Sequence, residues 1–177
     1  AIAGGRFHSM ALLATGEVRC WGGDLYGQST VPELGSAVVA IAAGDYHSMA
    51  VLESGEVIAW GRNGDGQCDV PAGLSNVIAL SGGSFHSLAL LGDGSVAAWG
   101  RNSSGQCDVP AGLAAATIDA GFSCSIALAA TGEFTAWGDV SSGKGTPGVE
   151  VEAGLLVETV GTHTVLLFGG SSSADAD

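Results

Sequence analysis

The chain has 177 residues, 46% of them hydrophobic, and a formal net charge of −13 from five basic and eighteen acidic side chains. This size and apolar content favour a compact fold and exclude disorder for most of the chain. The acidic balance would repel a phosphate backbone, so nucleic acid and anionic lipid are poor partners, and a protein with a basic surface is a better one. No apolar run approaches the roughly 18 residues of a membrane span, and no targeting segment can be read. We therefore expect a soluble protein without direct membrane insertion, whose location the sequence leaves open.

From its first residues the chain repeats with a period of 39 residues. Gly-Gln pairs and prolines recur at this spacing. Histidines and tryptophans do so as well, at His8, His47, His86, Trp21, Trp60 and Trp99. A fourth copy keeps its tryptophan one residue early, at Trp137, and a fifth begins at His163 without reaching a tryptophan. A period between 20 and 50 residues indicates a solenoid, a propeller or another repeat array.

Each repeat contains three predicted strands. In the second copy they are an apolar run from Val38 to Ala43, a run from His47 to Leu52, and a third run that ends in Trp-Gly, with a glycine turn before the third. The following Gly-Gln-x-x-Val-Pro segment is either a short fourth strand at an outer edge or a crossover, because proline has no N–H for a ladder. No stretch has a helical period, so the sequence predicts an all-β array whose small sheets stack radially as a β-propeller.

The repeated motifs Gly-x-aromatic-His-Ser-x-Ala-Leu, Gly-x-Val-x-Ala-Trp-Gly and Asn-x-x-Gly-Gln resemble the repeat of the RCC1 (regulator of chromosome condensation) superfamily over residues 1 to about 168. The short unit with its Val-Pro-Ala-Gly-Leu linker is most similar to the compact bacterial branch, which includes β-lactamase inhibitor protein II. This resemblance implies a seven-bladed propeller. The chain holds only about 4.5 repeats of 39 residues, which is fewer than seven.

Three interpretations of the repeat number remain open. The chain is an excerpt of a longer, seven-bladed protein, or an open arc that further blades or a partner chain complete, or a smaller closed ring. We favour the excerpt. Residues 1–168 are assigned to the propeller repeats, and residues 169–177, Gly-Gly-Ser-Ser-Ser-Ala-Asp-Ala-Asp, to a disordered acidic tail or linker.

The four histidines, His8, His47, His86 and His163, are the obvious candidates for a metal or catalytic site. Their period argues against this role, since equivalent positions in successive blades do not converge, whereas zinc ligands must meet within about 2.1 Å. We expect each imidazole to be structural, at the start of a strand and hydrogen-bonded within its own repeat. Cys124 takes this position in the fourth copy.

The tryptophans of the four complete units are predicted to be core residues, because one large ring per unit can fill the space between blades. The cysteines Cys20, Cys68, Cys107 and Cys124 form no CxxC pair, so free thiols are expected. No P-loop, Gly-x-Ser-x-Gly elbow or His-Glu-x-x-His motif is present, and we expect neither enzymatic activity nor a cofactor or metal.

The predicted strand order places two variable loops of every repeat on one face: the Gly-x-aromatic loop and the loop after Trp-Gly. The residues predicted to bind a partner on this face are Arg6, Phe7, Asp24, Tyr26, Asp45, Tyr46, Arg62, Asn63, Asp65, Phe85, Arg101 and Asn102. Interleaved aromatic and arginine side chains have the composition of interface hot spots. The alternative is that the rings only cover the end of the core.

For the inhibitor branch, the resemblance implies that the aromatic residue after Gly-x contacts the partner enzyme, which corresponds to Phe7, Tyr46 and Phe85. The fourth copy departs from this pattern, with Phe122 one position early and Ser123 in the aromatic position, which argues against its contribution.

The sequence thus predicts a non-enzymatic protein-interaction module, and an accessory or scaffold subunit of a larger complex is one form that such a module takes. The alternative is a proteinaceous enzyme inhibitor that uses the same face. A third hypothesis, implied by the eukaryotic branch, is a guanine nucleotide exchange factor on chromatin. The net charge of −13 argues against binding to chromatin, because the chain offers no basic arm for DNA.

Overall fold

The computed structural model describes residues 1–140 and the backbone of two later strands, 155–160 and 163–168. The predicted tail at residues 169–177 lies outside the described residues. The strands are β1 Ile2–Gly4, β2 His8–Leu12, β3 Val18–Gly22, β4 Val38–Ala43, β5 His47–Leu52, β6 Val57–Gly61, β7 Val77–Gly82, β8 His86–Leu91, β9 Val96–Gly100, β10 Thr117–Ala120, β11 Cys124–Leu128, β12 Phe134–Gly138, β13 Leu155–Val160 and β14 His163–Phe168.

The first twelve strands form four antiparallel sheets of three strands each, in the sequential orders β1-β2-β3, β4-β5-β6, β7-β8-β9 and β10-β11-β12. We call these sheets blades 1 to 4. Strands β13 and β14 pair as a two-stranded sheet. The all-β prediction and the three strands per repeat are confirmed. The Gly-Gln-x-x-Val-Pro segments contain turns and no strand, so they are crossovers between blades.

The blades pack face to face and bury one apolar cluster between each neighbouring pair. Met10 and Val18 of blade 1 pack against Ala50, Leu52 and Trp60 of blade 2. Corresponding clusters lie between blades 2 and 3 and between blades 3 and 4. The central strand β5 is buried along its whole length, because neighbouring blades cover both of its faces. No helix in the described part of the chain is long and apolar enough to cross a membrane.

Three of the four tryptophans fill the space between blades, as predicted. The ring nitrogens of Trp60, Trp99 and Trp137 each donate a hydrogen bond to the backbone carbonyl of a glutamine in the preceding blade, over 3.1, 2.9 and 2.9 Å. The prediction is wrong for Trp21, whose side chain is 54% exposed. Among the described residues, no preceding blade covers it.

The histidines are structural, but they do not bond within their own repeat as predicted. The Nε2 atoms of His8, His47 and His86 lie 2.8, 2.9 and 3.0 Å from a serine Oγ of the next blade. That hydroxyl donates its own hydrogen to the glutamine carbonyl, over 2.9 Å between Ser48 and Gln28. The serine must therefore accept from Nε2–H, which defines the histidine tautomer. The expected hydrogen bond lies between blades, because the side chain points out of its sheet.

Burial controls the protonation of these imidazoles. It lowers the pKa of His47 to about 3 and that of His86 to about 4. Both rings are fully buried and are neutral at physiological pH. Cys20, Cys68 and Cys107 are free thiols, as predicted.

Candidate protein-binding face

Two loops of every blade meet at the same end of the sheet. The backbone N–H of Arg62, after β6, donates to the carbonyl of Tyr46, between β4 and β5, over 2.9 Å, and Arg101 and Phe85 repeat this contact at 2.8 Å. The two loops approach each other so closely that β6 must end in glycine. Gly61 has a φ of +107°, and an added Cβ would lie 2.7 Å from the Tyr46 carbonyl oxygen. The two variable loops therefore share one face, as the strand order predicts.

Five aromatic rings form a continuous row across this face, which we call the aromatic row: Phe7, Tyr26, Tyr46, Phe85 and Phe122. Ring centroids are 5.6 Å apart for Phe7 and Tyr46 and 5.6 Å for Tyr26 and Tyr46. The row continues from Tyr46 to Phe85 at 6.2 Å and from Phe85 to Phe122 at 6.1 Å. These spacings are typical of attractive aromatic pairs. Loops from all four blades thus contribute to one surface.

Phe122 belongs to the row although its repeat position argues against a contribution. Cys124 pairs with Gly138 as His86 pairs with Gly100, so Phe122 lies two residues before the strand and Phe85 only one. Its ring nevertheless contacts Phe85 edge to face and is 39% exposed. The aromatic character of Phe122 within the same loop is the signal that could have identified it.

Three arginines are interleaved with the rings. The guanidinium carbon of Arg62 lies 4.7 Å from the ring centre of Phe85, and also within 6 Å of both Tyr26 and Tyr46. Arg101 lies 5.6 Å from Phe85, and Arg6 lies 5.3 Å from Phe7. These distances are those of cation–π contacts, in which the planar guanidinium stacks on the ring face. Three of the five basic residues of the chain therefore lie on this face.

Two carboxylates orient two of these arginines, Arg62 and Arg6. Asp65 Oδ2 lies 3.4 Å from an Arg62 nitrogen. Asp45 Oδ2 lies 4.0 Å from Arg6 of blade 1 and accepts a 2.7 Å hydrogen bond from Ser84 of blade 3. Because the Asp45 carboxylate joins three successive blades, it couples the positions of neighbouring loops.

The remaining predicted site residues, Asp24, Asn63 and Asn102, occupy one repeat position and close their own loops. Asn63 Oδ1 accepts a 2.8 Å hydrogen bond from the Cys68 N–H, and Asn102 does the same with Cys107. Asp24 accepts from the Thr30 hydroxyl over 2.6 Å, and this hydrogen bond is the main cause of its lowered pKa. Their contact with a partner stays a prediction, while their loop contacts shape the surface next to the aromatic row.

Burial lowers the pKa of the histidines between blades, and it raises the pKa of the Cys68 thiol, in the loop after Trp60, to about 12. Within residues 1–140, no group of three His, Cys, Asp or Glu side chains is placed to hold a metal ion. The chemistry that the face offers is apolar, aromatic and cationic contact.

Blades of three antiparallel strands, stacked in series and presenting their loops on one face, define a β-propeller repeat protein. Three segments, residues 1–28, 38–67 and 77–106, match the family model described as Regulator of chromosome condensation (RCC1) repeat. The chain belongs to this repeat family, and its four described blades are consistent with a partial propeller.

Several solved structures, among them two of yeast RCC1 (Prp20), share the fold. Yeast RCC1 (Prp20) bound to Kap60 is 21% identical with a TM-score of 0.72, over 94% of this chain and 53% of its own. Prp20p from Saccharomyces cerevisiae, described with its binding to Gsp1p and histones, is 21% identical with a TM-score of 0.71, over 97% and 56%. The ectodomain of the Physcomitrella patens receptor kinase CR4 is 24% identical with a TM-score of 0.67, over 79% and 40%.

The chain thus spans between 40% and 56% of the length of these three structures. Identities this low carry the fold and not the activity. A search of curated protein sequences found no match.

Proposed function

We propose that this chain is a non-enzymatic protein-interaction module that binds a partner protein through the aromatic row and its three arginines, as an accessory or scaffold subunit. The observation that carries the proposal is the row itself: five rings from four blades, with Arg62 stacked against three of them. Aromatic and arginine side chains dominate the binding energy of protein interfaces.

The exposure of the rings supports binding over the alternative that they only cover the core. A covering ring buries its apolar surface within the chain, yet Phe7 is 54% exposed and Tyr26 is 43% exposed. The contacts within the row favour binding for a second reason. Rings that already pack against neighbours and arginines have lost much of their rotamer freedom, so less entropy is lost when a partner covers them.

The charge of the chain favours a partner with a basic surface. The formal charge of −13 attracts such a protein over long range and accelerates its association. The three arginines of the face are held against rings, and Arg6 and Arg62 also against carboxylates, so the direct contact is with apolar and aromatic groups. Binding of this kind has an association rate that falls with salt, while its dissociation rate depends on the rings.

Affinity capture from the source lysate tests the proposal with two matched variants. The double variant Tyr46→Ala and Phe85→Ala truncates the centre of the row. The control, Val39→Ser and Ile78→Ser, changes two apolar side chains that are also exposed, 54% and 56%, at the opposite end of their strands. Hot-spot truncation costs about 2 kcal/mol or more, roughly a 30-fold loss of affinity. The proposal predicts a protein that the original chain and the control retain and the row variant loses; equal retention by all three would contradict it.

Inhibition of an enzyme by the same face is the second candidate. Phe7, Tyr46 and Phe85, the positions at which the family resemblance implies enzyme contact, lie next to one another in the row, which favours it. Nitrocefin hydrolysis by a panel of β-lactamases tests this candidate, and an unchanged rate at micromolar protein excludes it for the panel. Release of labelled guanine nucleotide from a small GTPase tests nucleotide exchange in the same way.

A further inference from the structure

The loop after Trp-Gly in blade 2 contains an exposed Asn-Gly pair, Asn63 and Gly64. The Asn63 side chain closes the loop with two hydrogen bonds. Its Oδ1 accepts from the Cys68 N–H over 2.8 Å, and its Nδ2 donates to Asp69 over 2.7 Å. Arg62, which stacks on three rings of the aromatic row, directly precedes Asn63. A chemical change at Asn63 therefore affects the closure of the loop that carries this arginine.

Asparagine is a chemically labile residue, above all when glycine follows it. In deamidation the backbone nitrogen of Gly64 bonds to the side-chain carbon Cγ of Asn63, the amide C–N bond breaks, and ammonia leaves with the proton of the Gly64 N–H. Water then opens the resulting succinimide ring at either carbonyl and gives aspartate or isoaspartate. Glycine permits the attack because no Cβ crowds its nitrogen. Gly64 is exposed, and its N–H donates no hydrogen bond within residues 1–140.

Blade 3 contains the same loop without this glycine. Asn102 forms the two equivalent hydrogen bonds, over 2.8 Å with Cys107 and 2.7 Å with Asp108, but Ser103 follows it. The side chains of Asn63 and Asn102 are therefore restrained equally, and they differ in the residue that supplies the attacking nitrogen. Because a serine Cβ crowds this nitrogen, Asn102 should react more slowly than Asn63.

Blade 1 shows what a carboxylate requires at this repeat position. Asp24 occupies the position of Asn63, and the position of Asp69 is taken by Thr30. The Thr30 hydroxyl donates to the Asp24 carboxylate over 2.6 Å. Deamidation of blade 2 would instead place a second carboxylate opposite Asp69, where the amide now donates over 2.7 Å. Two ionised carboxylates at this distance repel each other, and neither has a proton to donate.

We propose that Asn63 is a site of spontaneous deamidation, and that its product opens the loop from Arg62 to Asp69. The reaction needs only water. The opening has a reporter within the loop, because Cys68 Sγ lies 3.3 Å from the Arg62 carbonyl oxygen and the thiol is partly buried. An effect on partner binding through Arg62 rests on the proposed function, whereas the modification and the opening of the loop do not.

Incubation of the full chain at mildly alkaline pH, followed by peptide mapping with mass spectrometry, tests the modification. We expect Asn63 to convert several-fold faster than Asn102 in the same protein, at a rate that rises with pH because the attacking nitrogen must lose its proton. Gly64→Ser is the matched variant and should slow Asn63 to the rate of Asn102. Its added Cβ meets only the end of the Arg62 side chain, at 3.7 and 3.8 Å, and blade 3 already has serine at this position.

The reactivity of Cys68 tests the opening of the loop. Asn63→Asp reproduces the charge of the product, and we expect iodoacetamide to alkylate Cys68 several-fold faster in this variant. Cys107, at the same position in blade 3, should keep its rate, which shows that the fold is intact. The double variant Asn63→Asp and Asp69→Thr recreates the carboxylate–hydroxyl pair of blade 1 and should restore the slow rate of Cys68.

Three results overturn the proposal. They are equal conversion of Asn63 and Asn102, an unchanged Cys68 rate in Asn63→Asp, and an equal acceleration of Cys68 and Cys107, which would mean that the loop does not open selectively. Neither measurement uses a partner protein, so a failure here is distinguishable from a failure of the proposed binding face.

Discussion

Replacement of Ser87 by alanine tests how the blades are held together. The Ser87 hydroxyl is completely buried, accepts from Nε2–H of His47 and donates to the carbonyl of Gln67. The substitution removes both contacts without a large change in volume. It leaves the histidine N–H without an acceptor, while the Gln67 carbonyl keeps the hydrogen bond from Trp99.

The expected cost follows from these two losses. An orphaned buried donor costs about 1–3 kcal/mol, and a lost neutral hydrogen bond costs about 0.5–1.5 kcal/mol. Ser87→Ala should therefore lower the free energy of unfolding by roughly 2–4 kcal/mol. For a chain of this size, each kcal/mol shifts the melting temperature by about 2–4 °C, so a decrease of roughly 4–16 °C is expected.

Ser9→Ala is the matched control, because Ser9 has the same repeat position but no histidine or glutamine carbonyl within residues 1–140 contacts its hydroxyl. We expect its effect to be within about 0.5 kcal/mol, as for surface substitutions. Urea denaturation followed by circular dichroism measures both variants. Equal effects of the two substitutions would refute the role assigned to the hydrogen bonds between blades.

Three further predictions concern the buried groups. His47 and His86 have folded-state pKa values lowered to about 3 and about 4, below the 6.5 of an exposed histidine, so stability is complete above pH 6.5 and falls with decreasing pH. Below pH 6.5 each of the two histidines lowers the free energy of unfolding by about 1.4 kcal/mol per pH unit. An unchanged urea midpoint between pH 7 and 5 would contradict this prediction. Gly61→Ala should lower the melting temperature more than Gly73→Ala, since both have positive φ but only Gly61 has a backbone atom within 3 Å of the added Cβ; equal losses would exclude the steric argument. Burial raises the pKa of the Cys68 thiol to about 12, so iodoacetamide should alkylate it more slowly at pH 8 than glutathione, and a rate equal to that of glutathione would disprove its burial.

The repeat, its strands and its loop face could be predicted from the sequence because they depend on local patterns. Short apolar runs separated by glycine turns define antiparallel strands wherever the chain folds, as in β4 to β6. The strand order then places Tyr46 and Arg62 at the same end of the blade. These conclusions need no knowledge of the neighbouring blade.

The hydrogen-bond partners across the contacts between blades could not be predicted, because a period is the same whichever copy supplies the partner. His47 is one repeat away from both His8 and His86, so the sequence does not reveal that its acceptor is Ser87 of the next blade. Trp21 matches Trp60 in position, yet within residues 1–140 a preceding blade packs only against Trp60. Burial in a repeat array is a property of the neighbour as well as of the residue.

The aromatic row also combines features that local sequence patterns predict with features that depend on the neighbouring blades. Four of its five rings and the face on which they lie could be predicted from the sequence, because the aromatic position before each histidine and the loop after Trp-Gly are both read from the repeat. The tertiary structure decided that Phe122 joins the row from an earlier loop position, and that Arg62 stacks on three rings while Asn63 closes its own loop. The reason is physical: spacing along the chain sets which end of a strand a side chain occupies, whereas the stacking of blades sets which side chains come within contact distance.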